Sequence, residues 1–157
     1  MENFVAFDIE TTGMSPMDSK ITEIGAVKVV DGKQVDTFNQ LINPQVPIPY
    51  NIVSLTGITD ELVKDQPTID FVLPEFIEFC QGFDILGHNI KFDFSFIKTN
   101  ALKLNITFEK KALDTLMISR MVLKDLPSRK LGSLCDYYNI DYLDGHRAYN
   151  DAYATFE

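Results

Sequence analysis

The chain has 157 residues, 45% hydrophobic and 24% charged, a length and balance that fit one domain able to bury a single core. No stretch approaches the ~18 consecutive apolar residues of a membrane span, and Met1 to Asp8 lacks the basic and long apolar regions of a secretory signal, so the expectation is a cytoplasmic protein with no membrane partner. A net charge of −9 excludes a broad electrostatic grip on a phosphate backbone and predicts at most weak, metal-dependent affinity for nucleic acid.

Phe4 to Ile9 is an apolar run, Ile21 to Val30 a second and Gln34 to Ile42 a third, with the hairpin signal Asp31-Gly32 between the last two. A loop with Pro44, Pro47 and Pro49 follows. From Phe71 to Cys80 the apolar residues recur near helical spacing, which puts Pro74 close to the helix start. Ile85-Leu86-Gly87 reads as a short strand, and Phe92, Phe96, Ile97, Ala101 and Leu104 as one face of the helix after it. Leu116 to Leu123, Leu131 to Tyr138 and Arg147 to Phe156 read as further helices, with Asp114 and either Ser128 or Ser133 as N-caps. Cys80 and Cys135 lie inside apolar helical patterns and outside any Cys-x-x-Cys arrangement, so both read as reduced core residues. The order implies an α/β fold: a mixed sheet with an antiparallel hairpin at one side, covered by helices, and with the first strand central. Ligands of such sheets sit beyond the carboxyl edge of the strands.

That edge is acidic. Asp8 and Glu10 close the first run, and residues two apart on a strand share a face, so two carboxylates converge. Crowded like charges call for a compensating cation, and hard divalent ions prefer oxygen ligands. A solvated strand rim is the alternative reading of this pair alone. Thr11-Thr12-Gly13 follows at once, a turn whose small residues leave backbone groups near anything the carboxylates hold.

Three strings in order carry a resemblance. Phe7-Asp8-Ile9-Glu10-Thr11-Thr12-Gly13, His88-Asn89-Ile90-Lys91-Phe92-Asp93 and His146-Arg147-Ala148-Tyr149-Asn150-Asp151-Ala152 resemble the three motifs of the DEDD exonuclease superfamily, the last in the form of its His-type branch. Ile21 to Ala26 is similar to the second strand of that family, and Leu55-Thr56-Gly57-Ile58-Thr59 to its nucleotide-contacting loop. The resemblance implies an RNase H-like fold with a five-stranded sheet over residues 1–157, and a 3′–5′ exonuclease that hydrolyses single-stranded DNA ends to nucleoside 5′-monophosphates. It makes Asp8, Glu10, Asp93 and Asp151 the acids that hold two Mg²⁺ or Mn²⁺ ions, and His146 the general base. It also implies substrate contacts at Thr11, Thr12, Gly13, Met14, Ile58, His88, Asn89 and Phe96, and a polymerase or helicase polypeptide as context. An RNA-directed exonuclease and a catalytically idle module are the competing expectations; the second would be expected to lack acids that are all present here.

Other residues stay open. Phe92 and Phe96 serve either as base-stacking rings or as core. Asp114 reads as a helix cap, Glu23 as either a supporting partner of the site or a strand-edge residue, and Arg129 and Lys130 as a solvated pair or phosphate contacts. The last acid, Asp151, lies close to Glu157, where the sequence ends. Its helix is expected to be short, which implies poor anchoring, a chain cut from a longer protein, or a helix held by packing of Tyr153 and Phe156.

Overall fold

The computed structural model describes residues 3–157. Strand β1 (Phe4–Thr11) pairs antiparallel with β2 (Ile21–Val30), which pairs antiparallel with β3 (Lys33–Leu41). The β2–β3 turn places Asp31 and Gly32 at φ 50° and 71°, the positive angles a two-residue hairpin of right-handed twist requires. After helices α1 (Tyr50–Thr56), α2 (Asp60–Val63) and α3 (Ile69–Phe79), strand β4 (Asp84–Gly87) runs parallel to β1 on its other side. Helix α4 (Ile90–Lys103) crosses to β5 (Ala112–Asp114), parallel to β4. Helices α5 (Thr115–Val122), α6 (Leu131–Tyr138) and α7 (Ala148–Phe156) complete the chain. The five-strand order is β3-β2-β1-β4-β5, with β1 at the centre.

Alternation along β1 divides the molecule into layers. Val5, Phe7 and Ile9 point to the face where α3 and α4 supply Val72, Leu73, Phe76, Phe96, Ile97 and Ala101. Phe4 and Ala6 point the other way, with Val27, Val29 and Leu86, under Tyr149, Tyr153 and Phe156 of α7. Asp8 and Glu10 continue this second face toward the end of the strand. Opposite them on β2 stand Gly25 and Glu23, so the face that receives α7 changes along one strand pair from apolar to acidic.

Several expectations change. Pro74 lies inside α3, in its second turn rather than at its start; the ring removes one helical hydrogen bond, and the buried face of Val72, Leu73 and Phe76 holds the helix through it. Ser128 and Ser133 cap no helix: their hydroxyls bond each other at 2.9 Å, and α6 starts after Lys130 without a side-chain cap. Asp114 is a cap, accepting from the Leu116 amide at 3.0 Å. The Pro-rich loop leads into the short α1 and α2. Cys80 and Cys135 are free and buried. Among the described residues no helix is long and apolar enough to cross a membrane.

Candidate active site

The site opens where β1 outlasts β4. Pairing of β4 with β1 ends at Ala6, so beyond it the β4 side of β1 has no strand, and the Ile9 amide donates instead to Asp93 Oδ1 at 2.9 Å. Asp93 reaches that position from the first turn of α4, whose entry Asn89 has φ 64°, a left-handed conformation that asparagine tolerates. The turn before it is tied to β5: the Asn89 amide donates to Asp114 Oδ1 at 2.9 Å, and His88 Nδ1 lies 2.9 Å from Thr115 Oγ1.

From the other layer comes α7. Asp151 Oδ1 accepts from the Tyr142 hydroxyl at 2.7 Å and from the His146 amide at 3.2 Å. His146 itself is exposed and sits at φ 64° immediately before the helix. Glu10, His146 and Asp151 each offer a ligand atom, and these atoms lie within 4.8 Å of one another.

The helix that carries Asp151 is contacted from elsewhere in the chain. A Cβ on Gly25 would stand 2.1 Å from the Tyr149 nitrogen, so the glycine lets the α7 backbone lie directly on β2. Buried Glu23 accepts from Arg147 Nη2 at 2.7 Å and from the Ala148 amide at 3.0 Å. Tyr149, Tyr153 and Phe156 pack on the apolar half of the same face. Tyr142, Gly25 and the role of Glu23 are the features sequence reasoning did not assign. The pairing of Glu23 opposite Glu10 is set by the β1–β2 register, across a connection over residues 12–20 that carries no hairpin signal.

The cleft, about 940 Å³, is lined by Asp8, Glu10, Asp93, Asp151, Tyr142 and His146, and by Arg120 and Lys130 among others. His88, Asn89 and Phe92 also line it. Ile58 and Phe96, expected as substrate contacts, are not in the lining: both are 0% exposed and packed in apolar clusters. Thr11, Thr12, Gly13 and Met14 likewise lie outside the lining. The Thr11 hydroxyl donates to the Gly13 carbonyl at 2.6 Å and the Thr12 hydroxyl accepts from the Lys20 amide at 2.9 Å, so both are committed to their own turn. Met14 projects into solvent, 79% exposed. Arg129 lines the cleft, but its Nη2 donates to the Leu123 and Lys124 carbonyls, both at 2.7 Å.

Electrostatics show what the cluster lacks. Burial, then repulsion from Asp151, Glu23 and Asp93, pushes Glu10 up to about 8, with Arg147 opposing. Burial pushes Asp93 up to about 8 against the pull of the Ile9 amide. Asp8 rises well above the usual carboxylate range through burial and the charges of Asp93, Asp151 and Glu10. Burial raises Asp151 too, while the Tyr142 hydroxyl and the His146 amide hold it back. Four carboxylates that cannot all be charged together, offering only hard oxygen donors beside one imidazole, fit divalent cations. Burial lowers His88, which favours its neutral form.

An RNase H-like sheet with this acidic centre at the end of its middle strand defines a phosphodiester-cleaving enzyme class. The chain belongs to the RNase T exonuclease family, whose description is "Exonuclease" and which it matches over residues 5–157; it is an exonuclease domain of the DEDD superfamily. It is 50% identical over 154 residues to a PolC-type DNA polymerase III of Caldanaerobacter subterraneus subsp. tengcongensis, covering 98% of this chain and 11% of that protein. The PolC-type DNA polymerase III of Clostridium perfringens is 44% identical over 156 residues, 99% of this chain and 11% of that one. The chain thus spans about a tenth of the length of these polymerases. Among solved structures, Escherichia coli exonuclease I in complex with a dT13 oligonucleotide matches with a TM-score of 0.88 at 18% identity, over 99% of this chain and 40% of that one. Exonuclease X in complex with 5′ overhanging duplex DNA matches at 0.79 and 24%, over 98% and 86%. These two likenesses establish the fold.

Proposed function

We propose that the chain is a 3′–5′ exonuclease domain that removes nucleotides from single-stranded DNA ends, in proofreading or repair beside a DNA polymerase in the bacterial cytoplasm. The carrying observation is the convergence of Asp8, Glu10, Asp93 and Asp151 from both layers onto one cleft with His146 at its side. Asp8, Glu10 and Asp151 would hold one Mg²⁺ or Mn²⁺ ion, with Asp8 and Asp93 supporting a second. When bound, such a pair supplies an activated water and balances the charge developing on the departing 3′ oxygen.

The chain's own residues do the rest. His146, exposed beside Glu10 and Asp151, accepts the proton of the attacking water. Tyr142 and the His146 amide both bond one oxygen of Asp151, Oδ1. Arg120 and Lys130 line the same cleft, as cations available to the phosphates of an entering strand. Phe92 lines the cleft, and stacking on an aromatic ring tolerates any base.

DNA is favoured over RNA because the most similar relatives reported above are DNA polymerases. The test uses matched DNA and RNA oligonucleotides labelled at the 5′ end, with Mg²⁺ or Mn²⁺ present. The expected result is a ladder of shortening labelled DNA with slower RNA cleavage, and nucleoside 5′-monophosphates as products. Faster RNA cleavage would replace DNA by RNA as the substrate, and immediate release of a labelled mononucleotide would reverse the polarity.

A further inference from the structure

Glu10 and Glu23 face each other across β1 and β2, two carboxylates on one face of one strand pair. Of the two, among the described residues, Glu23 is the one that forms a salt bridge. Its carboxylate, 1% exposed on the side chain, takes a two-nitrogen fork from Arg147, with Nε at 3.1 Å from Oε2 and Nη2 at 2.7 Å from Oε1. Its Oε2 also accepts from the Ala148 amide at 3.0 Å. Helix α7 has no side-chain cap of its own at Arg147, so a residue of β2 satisfies the first helical amide from outside the helix.

The residues held in this way flank the chemistry. Arg147 is the neighbour of His146, which sits at a positive φ of 64°. Asp151 lies one helical turn further on, with its amide bonded to the Arg147 carbonyl at 3.1 Å. We propose that the Glu23–Arg147 pair is a positioning device with two effects. It locks the His146-bearing turn and the start of α7 onto β2, the strand paired with the one that carries Glu10, and it gives one of two facing carboxylates a cationic partner so that Glu10 remains for the cation. Glu23 and Arg147 are positioning residues, acting through His146, Asp151 and Glu10. The inference rests on the exonuclease reading above.

The test compares wild type with Glu23→Gln and Arg147→Lys under saturating Mn²⁺ on single-stranded DNA. Glutamine keeps an acceptor for the Ala148 amide and loses the charge; lysine keeps the charge and loses the fork. The expected result is a kcat fall of about 10- to 100-fold for Glu23→Gln, a smaller fall for Arg147→Lys, and KM within about 3-fold of wild type for both, because misplacement near the chemistry costs turnover before binding. Circular dichroism and melting curves establish the folded fraction, and rates are given per folded molecule. Should Glu23→Gln fail to fold, Arg147→Lys alone carries the comparison. Wild-type kcat per folded molecule in the folding-competent variants, or a rise in KM alone, would overturn the proposal. A wild-type protein inert on DNA and RNA with either ion would instead overturn the exonuclease reading.

Discussion

At the scale of single residues, the acids are held in a state the bare fold disfavours. Glu10, ordinarily near 4.5, sits at about 8, so between those values the folded chain binds a proton that the unfolded chain has lost. Stability without metal therefore falls as pH rises through this window, and the penalty is complete above it. Melting curves in chelator from pH 5 to 9 are expected to show a steeper decline for wild type than for Glu10→Gln, and Mn²⁺ is expected to flatten the wild-type curve. Parallel curves for the two proteins would count against a buried, cation-seeking Glu10. Tyr142→Phe tests the other side of the cluster. It removes the hydroxyl that bonds Asp151 at 2.7 Å, and a hydrogen bond to a charged group contributes about 1.5 to 3 kcal/mol. The cation concentration for half-maximal activity is expected to rise roughly 10-fold, and an unchanged midpoint would remove Tyr142 from the site. Motif and strand parity coincide at Asp8 and Glu10, whereas Asp93, Asp151 and His146 were read mainly from resemblance. Tyr142 was not legible, because its partnership with Asp151 is made by an irregular loop with no period to read.

At the scale of elements, β1, β2, β3 and β4 follow from apolar runs and turn chemistry, and the central place of β1 from their order. Two things were hidden. The helical spacing of Phe92 and Phe96 was visible, but which ring faces the cleft depends on how α4 rotates over the sheet: Phe96 is buried and Phe92 lines the cleft. The firmness of α7 was also hidden, because its support comes from Glu23 and Gly25, more than a hundred residues earlier in the chain. Gly25→Ala is the corresponding experiment. A methyl group 2.1 Å from a backbone nitrogen leaves no room for a side chain to yield, so the helix must lift. A Tm loss of roughly 5 to 10 °C is expected from overpacking of this kind, with a fall in activity as Asp151 and His146 shift together. A variant with wild-type Tm and turnover would show that the contact is dispensable.

At the scale of the whole molecule, a net charge of −9 surrounds a cleft that must accept a polyanion. Attraction is therefore expected to be local, from cations held by the acids and from Arg120 and Lys130 in the cleft lining. Replacing both with alanine is expected to raise KM for an oligonucleotide about 10-fold or more while kcat stays within about 3-fold, and to make KM less sensitive to salt; an effect confined to kcat would place these side chains in the chemistry instead. The central claim is that cleavage is performed at the Asp8, Glu10, Asp93 and Asp151 cluster with cations bound there. The most direct measurement is digestion of 5′-labelled single-stranded DNA by wild type and Asp8→Ala, each stripped of metal and then supplied with Mg²⁺ or Mn²⁺. Stepwise shortening by wild type only after the ion is restored, and none by Asp8→Ala, is the predicted result. Shortening by Asp8→Ala at the wild-type rate, or by wild type in chelator, would contradict it.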